Sequence, residues 1–443
     1  MIFLGLGPLV WPGGVGAQEV APERTLAFKI TSKMWDPITR KAVPTPPVLV
    51  EKIRKVFALW ESVPGTGLHF RYDGFAAPAY DSIESVPADG RIYLVLNTRY
   101  PMGKFVAGAG GYAGSVPDSY RKGYVFFNTR AGLNALRFAT LIHETGHALG
   151  LSHGASIDSQ MYCGSQLWDG HEFLAFSEQD RAALLQAWNK QSIFTLAGRV
   201  KRADPNQDYL VHAVNVRNGR TFAVLGNDPE GNFEIPVLAP GEYRLFAKSD
   251  ESGSYESRAG YLPSWYLGQG RSSNDPYAGT VIALSGAQPA VSGLELPLIQ
   301  RRVPFNFWWS ALFPRAGGAD VPAFLRPGRP VSFELIHNGG AITRLESYGT
   351  QPDYTFSQFG FDRARAAYRL TVQASPDAEP GHRLALARSL DGTVQAGLVG
   401  IHIISQALPG VLSQDVAEQI SQNLSAAALP ADYWKSPEAD LRL

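Results

Sequence analysis

An α+β domain followed by two β-sandwich domains is the fold class expected of this chain, and three observations lead to it. Helical periodicity falls mostly before residue 191, where it alternates with short apolar segments of strand character. After Ser192 the chain turns to brief alternating strands separated by Gly, Pro, Asn and Asp turns. At 443 residues it also exceeds what one hydrophobic core serves, so several domains are expected.

The first residues read as an export signal over 1–17. Ile2 to Val10 are almost wholly apolar, and Val15-Gly16-Ala17 before Gln18 has the small residues that signal peptidase accepts, although a basic leading segment is missing. The single cysteine, Cys163, rules out an intramolecular disulfide, which by itself favours a reducing compartment. The leader outweighs it, and a secreted or extracellular location of bacterial type is expected. No later run reaches the ~20 apolar residues of a transmembrane helix, so no transmembrane segment is expected. Forty basic residues balance forty acidic ones, which argues against nucleic acid or an anionic membrane as a partner.

Residues 24–191 form the expected α+β unit. Leu26 to Ile30 alternates as a strand, and Val48 to Trp60 carries apolar residues near helical spacing after a Pro-rich entry. Leu68–Tyr72, Arg91–Leu96 and Tyr124–Phe127 are strand-like, with a Gly-rich stretch, Gly108–Ser115, between the last two. Asn134–Leu149 has the strongest helical pattern, and Ser177-Glu178-Gln179-Asp180 is a capping-box pattern that opens a further helix ending near Trp188.

Chemistry concentrates in the run His143-Glu144-Thr145-Gly146-His147-Ala148-Leu149-Gly150-Leu151-Ser152-His153. Two histidines four apart on a helix share one face, one turn apart, and can hold one cation. Gly150 can adopt a left-handed conformation that ends the helix and brings His153 back as a third ligand. Three imidazoles with an open fourth position suit a catalytic zinc. Such an ion acidifies water and polarises a carbonyl, and Glu144 stands where a general base would take the proton and pass it to the leaving amine. A two-histidine motif alone occurs by chance on ordinary helices; the added glycine and third histidine make this run specific.

With these residues the chain resembles the metzincin zinc peptidases, and within them the matrixins. Met161, eight residues after His153 in Ser159-Gln160-Met161-Tyr162, looks like the family's Met-turn. The resemblance implies a metzincin-type catalytic domain with a twisted mixed sheet and three main helices. It also implies a methionine base beneath the metal, a substrate-pocket wall at Tyr162, Cys163, Gly164 and Ser165, and protein or peptide substrates. Ala109, Gly110, Gly111, Tyr112, Ala113 and Gly114 would lie on the edge strand along which substrate runs antiparallel. Tyr162 directly follows the methionine, whereas the zinc-binding tyrosine of the astacin branch lies two residues after it, so the wall role is preferred to a ligand role. Gly111-Tyr112-Ala113-Gly114 lacks the histidine that animal matrixins use for a structural zinc, so one catalytic Zn(2+) is expected. No prodomain is expected ahead of residue 24, and Cys163 sits too close after Met161 to be read as a latency switch, so a free, partly buried thiol is expected there.

Beyond the catalytic segment, residues 194–300 are similar to carboxypeptidase regulatory-like β-sandwich modules. The similarity rests on Gly198-Arg199-Val200, Gly231-Asn232-Phe233 and Leu238-Ala239-Pro240-Gly241-Glu242-Tyr243. Residues 301–405 read as an Ig-like sandwich, and 406–443 as a helix and tail. The expected function is secreted zinc-dependent endopeptidase. The competing one is an exported β-sandwich adhesion or binding protein with a vestigial peptidase domain, the sandwiches taking an extracellular surface or polymer ligand.

Overall fold

The computed structural model describes residues 22–403, except 104–105, 131, 133–135, 155–158, 162–166, 169–170, 173–175, 191–192, 202–208, 227, 250–260, 301–306, 312–322, 326, 338–341, 364–366, 380 and 390–393. The export signal and the C-terminal helix expected from the sequence therefore lie outside the described residues.

The N-terminal part contains β1 (Arg24–Thr31), β2 (Lys33–Asp36), β3 (Lys41–Pro44), α1 (Pro47–Glu61), β4 (Leu68–Ala76), β5 (Ile92–Val95), β6 (Gly108–Ala113), β7 (Lys122–Phe127), α2 (Phe138–Ala148), β8 (Leu167–Trp168), β9 (His171–Glu172) and α3 (Glu178–Trp188). Five strands pair in the order β4-β1-β5-β7-β6. The first four are mutually parallel and β6 runs antiparallel along the edge of β7. One face of this sheet supplies Phe28, Ile30, Ile92, Leu94, Val125 and Phe127 to a core shared with Ile53, Phe57 and Trp60 of α1, Leu141 and Ile142 of α2, and Leu184 and Trp188 of α3. Period-2 alternation makes this possible: Tyr93, Val95 and Phe126 point to the other face and form a separate cluster with Val86.

Proline at the first position of α1 costs nothing, because that N–H has no helical partner. The end of α2 is stopped by a Schellman pair: Leu151 N–H donates to Gly146 O and Gly150 N–H to His147 O, both at 3.0 Å, with Gly150 at φ 95°. Tyr120 Oη and Trp188 Nε1 satisfy the remaining carbonyls of Ala148 and Leu149, each at 2.8 Å.

Downstream come β10 (Phe194–Lys201), β11 (Tyr209–Asn215), β12 (Arg220–Gly226), β13 (Asn232–Val237), β14 (Gly241–Ser249), β15 (Tyr261–Leu262), β16 (Ser264–Gly268), β17 (Arg271–Ser273), β18 (Ile282–Leu284), β19 (Ala290–Pro297) and β20 (Ile299–Gln300). They are followed by β21 (Phe307–Ala311), β22 (Ala323–Leu325), β23 (Pro330–His337), β24 (Ile342–Ser347), β25 (Tyr354–Asp362), β26 (Ala367–Ala374), β27 (Gly381–Ser389) and β28 (Val394–Ile403). Asn218-Gly219 turns β11 into β12, with Gly219 at φ 73°.

This architecture corrects the expected fold class. The described residues hold twenty-eight strands against three helices, in several sheets, so the chain is mainly β and not a metzincin-type α+β domain with two sandwiches appended. Downstream, two separate cores, one drawn from residues between Leu196 and Leu296 and one from residues between Leu325 and Ile403, meet along one shared sheet. One ten-stranded sheet runs β17-β16-β14-β11-β12-β27-β28-β22, with β18 and β24 attached at its side. The seam is the antiparallel pairing of Arg220 with Arg383 and Thr221 with His382, which crosses the expected boundary at residue 300. The physical reason is that helical periodicity stands out over a long window, whereas two- to four-residue strands carry little pattern of their own. Some of their pairing partners are also distant in the chain, as β28 is from β22.

Candidate metal centre

α2 carries His143 and His147 one turn apart, and the Gly150 turn returns the chain so that His153 meets them. The ring centroids lie 4.7, 4.8 and 5.3 Å apart, and one ligand atom from each ring falls within 4.8 Å of the others. Among the described residues this is the one group of three His, Cys, Asp or Glu side chains so placed.

Backbone carbonyls set the tautomers of the first two rings. His143 Nδ1 lies 2.8 Å from Gln160 O, and His147 Nδ1 lies 2.8 Å from Leu151 O. A carbonyl only accepts, so each Nδ1 carries the proton and each Nε2 presents a bare lone pair. The two Nε2 atoms face each other at 3.1 Å. Burial first, then the neighbouring His147, lowers the His143 pKa to about 4; burial also lowers His147 and His153. Neutral imidazoles with converging lone pairs and second nitrogens bound to carbonyls are a donor set that fits zinc.

Glu144, one residue beyond His143, is buried beneath β6. Its Oε2 accepts the Gly110 N–H at 2.7 Å. Burial raises its pKa to about 7 against the pull of that hydrogen bond. The close approach explains the glycines of β6. A Cβ at Gly108 would stand 2.7 Å from Glu144 Cγ, and one at Gly110 would strike the Glu144 carbonyl and stand 2.9 Å from His147 Cβ. Ala109, Gly110, Gly111, Tyr112 and Ala113 lie in this edge strand, while Gly114 falls just past it in a left-handed turn at φ 99°. Alternation puts Tyr112 on the same face as Gly108 and Gly110, and its ring is exposed.

Met161 is buried under α2. A Cβ at Gly146 would collide with its sulfur and stand 3.0 Å from the Trp60 ring, so only glycine admits the methionine there. Tyr162, Cys163, Gly164 and Ser165 lie outside the described residues. Asp180 of α3 is the contributor that motif reading missed. Its carboxylate takes the Ser159 hydroxyl at 2.5 Å, Gln160 N–H at 2.8 Å and Met161 N–H at 3.3 Å, besides closing the capping box with Ser177. The capping-box pattern did mark Asp180; its bonds to the methionine turn had no local sign. Asp180 therefore holds the turn whose Gln160 carbonyl orients His143.

No protein-family model matches this chain, and no curated protein matches it. Among solved structures, the Bacteroides ovatus mixed-linkage glucan utilization locus protein SGBP-B, in complex with a mixed-linkage heptasaccharide, is 12% identical with a TM-score of 0.15. That match covers 47% of this chain and 42% of the other, so the chain spans less than half of that protein's length. Domains 5–6 of the S-layer protein SbsC are 10% identical with a TM-score of 0.15, over 49% of this chain and 83% of that one. Likenesses at these scores do not bear on the site. Among the described residues, no helix is long and apolar enough to cross a membrane.

Proposed function

We propose that this chain is a zinc-dependent endopeptidase acting on protein or peptide substrates outside the cell. The observation that carries the reading is the pair of His143 and His147 Nε2 atoms at 3.1 Å, with both Nδ1 protons committed to carbonyls. No proton is left to lie between those lone pairs at neutral pH, and a cation shared with His153 answers that arrangement. When bound, zinc would acidify water and polarise the scissile carbonyl.

The chain's own groups do the rest. Glu144 Oε2 is tied to Gly110 N–H, which leaves Oε1 to take the proton of the attacking water and return it to the leaving amine nitrogen. A base near pKa 7 suits both directions of that transfer. The open edge of β6 offers backbone groups along which an extended peptide can lie beside Glu144.

Purified full chain assayed on casein, with and without a chelator and beside Glu144→Ala, tests the reading. Cleavage abolished by both treatments is expected; cleavage that survives both would overturn it.

For the downstream sheets, a polymer ligand is the partner proposed. Tyr277, 45% exposed and stacked at 5.7 Å on buried Tyr348, is the aromatic face such a ligand would meet.

A further inference from the structure

We propose that the first turn of α3 couples the downstream sheet to the three-histidine site, with Arg220 as a positioning residue for that site. The inference rests on the metal-site reading above. Three consecutive residues of that turn bind two neighbours, β12 and the methionine turn. Glu178 forms a two-pronged pair with Arg220 of β12: Nε donates to Oε2 at 2.7 Å, and Nη2 donates to Oε1. Gln179 Nε2 donates to the Ala223 carbonyl of the same strand. Asp180 holds Ser159, Gln160 and Met161, and the Gln160 carbonyl fixes the His143 ring. A continuous path of hydrogen bonds thus runs from β12 to a metal-facing imidazole through one turn of helix.

The anchor is built for position. Arg220 and Glu178 side chains are 9% and 7% exposed, and Arg220 Nη1 also reaches Glu379, just before β27, at 2.7 Å. A planar guanidinium gripping a carboxylate with two parallel bonds fixes direction as well as distance, which a single charge does not. Without Arg220, Glu178 becomes a buried carboxylate with its main partner gone. Losing that grip would free the first residues of α3 to shift, and Asp180 with them. The downstream sheet is then part of what sets the geometry of the metal site, and not only a passenger.

The test uses the full chain loaded with Co(II), whose visible bands report ligand geometry, and Zn(II) affinity measured by competition with a chelating dye. Arg220→Met should weaken metal binding roughly tenfold and shift the Co(II) bands, an effect of the size seen when outer-shell partners are removed. Arg220→Lys should restore part of the affinity. Arg388→Met, which breaks an Arg–Glu pair with Glu346 inside the downstream sheet, should leave affinity and bands unchanged. Should Arg220→Met not fold by circular dichroism, Glu178→Gln keeps the packing and should weaken binding several-fold. Folded Arg220→Met or Glu178→Gln with wild-type affinity and bands overturns the coupling while leaving the metal site standing. Wild-type chain that binds neither ion overturns the site, and the coupling with it.

Discussion

Glu144 Oε2 and the Gly110 amide share a 2.7 Å hydrogen bond, so the candidate base is held by the same strand that would receive the substrate. Glu144→Gln can accept that bond but cannot take a proton. It should fold and retain metal while hydrolysis falls by about 10²–10⁴-fold, the range for loss of a general base. Turnover of a quenched peptide, read beside zinc content, checks this; near-normal turnover with metal bound would remove Glu144 from the chemistry.

The Asp180 carboxylate accepts from Ser159, Gln160, Met161 and Ser177, and an amide there would set its own N–H groups against donors. Asp180→Asn is expected to lose about 1–3 kcal/mol of stability and about 10–100-fold in zinc affinity. Denaturant melts and chelator competition measure the two separately. Unchanged metal affinity in the folded variant would mean that the methionine turn holds its place without this carboxylate.

Gly110 and Gly286 offer a paired test of packing. A Cβ at Gly110 meets the Glu144 carbonyl and His147 Cβ, whereas one at Gly286 meets nothing within 4 Å. Gly110→Ala should destabilise by about 1–3 kcal/mol, as overpacking does, and disturb metal binding. Gly286→Ala should be neutral in both. Equal melting of the two variants would contradict the close approach of β6 to α2.

His212 on β11 is buried against Phe246, rings stacked at 4.5 Å, and among the described residues neither of its nitrogens has a hydrogen-bond partner. Burial first, then the charges of Lys248 on β14 and His382 on β27, holds its pKa well below 6.5. A depressed pKa in the folded state means that the stability it contributes is present above about pH 6.5 and is lost as pH falls below that value. Thermal melts of the wild type should therefore drop more steeply from pH 6.5 to 5 than those of His212→Leu. Parallel curves would show that His212 takes up its proton without cost.

The clustering of the three histidines could be read directly from the chain because its logic is local. A spacing of four places His143 and His147 on one helical face, and a glycine able to reach φ 95° lets the chain turn back at Gly150. Ser177 and Asp180 announced the start of α3 for the same reason. Folding in three dimensions decided the rest. Gln160 orients His143 across seventeen residues, and Asp180 grips Gln160 across twenty. The β12–β27 pairing joins Arg220 to Arg383 and links the two downstream halves through one sheet. Such contacts leave no periodicity in the chain, since a hydrogen bond depends on where two segments meet and not on how far apart they are in sequence. Helix spacing could therefore nominate the three histidines, whereas only the packed chain shows what holds them in place and to which sheet they are tied.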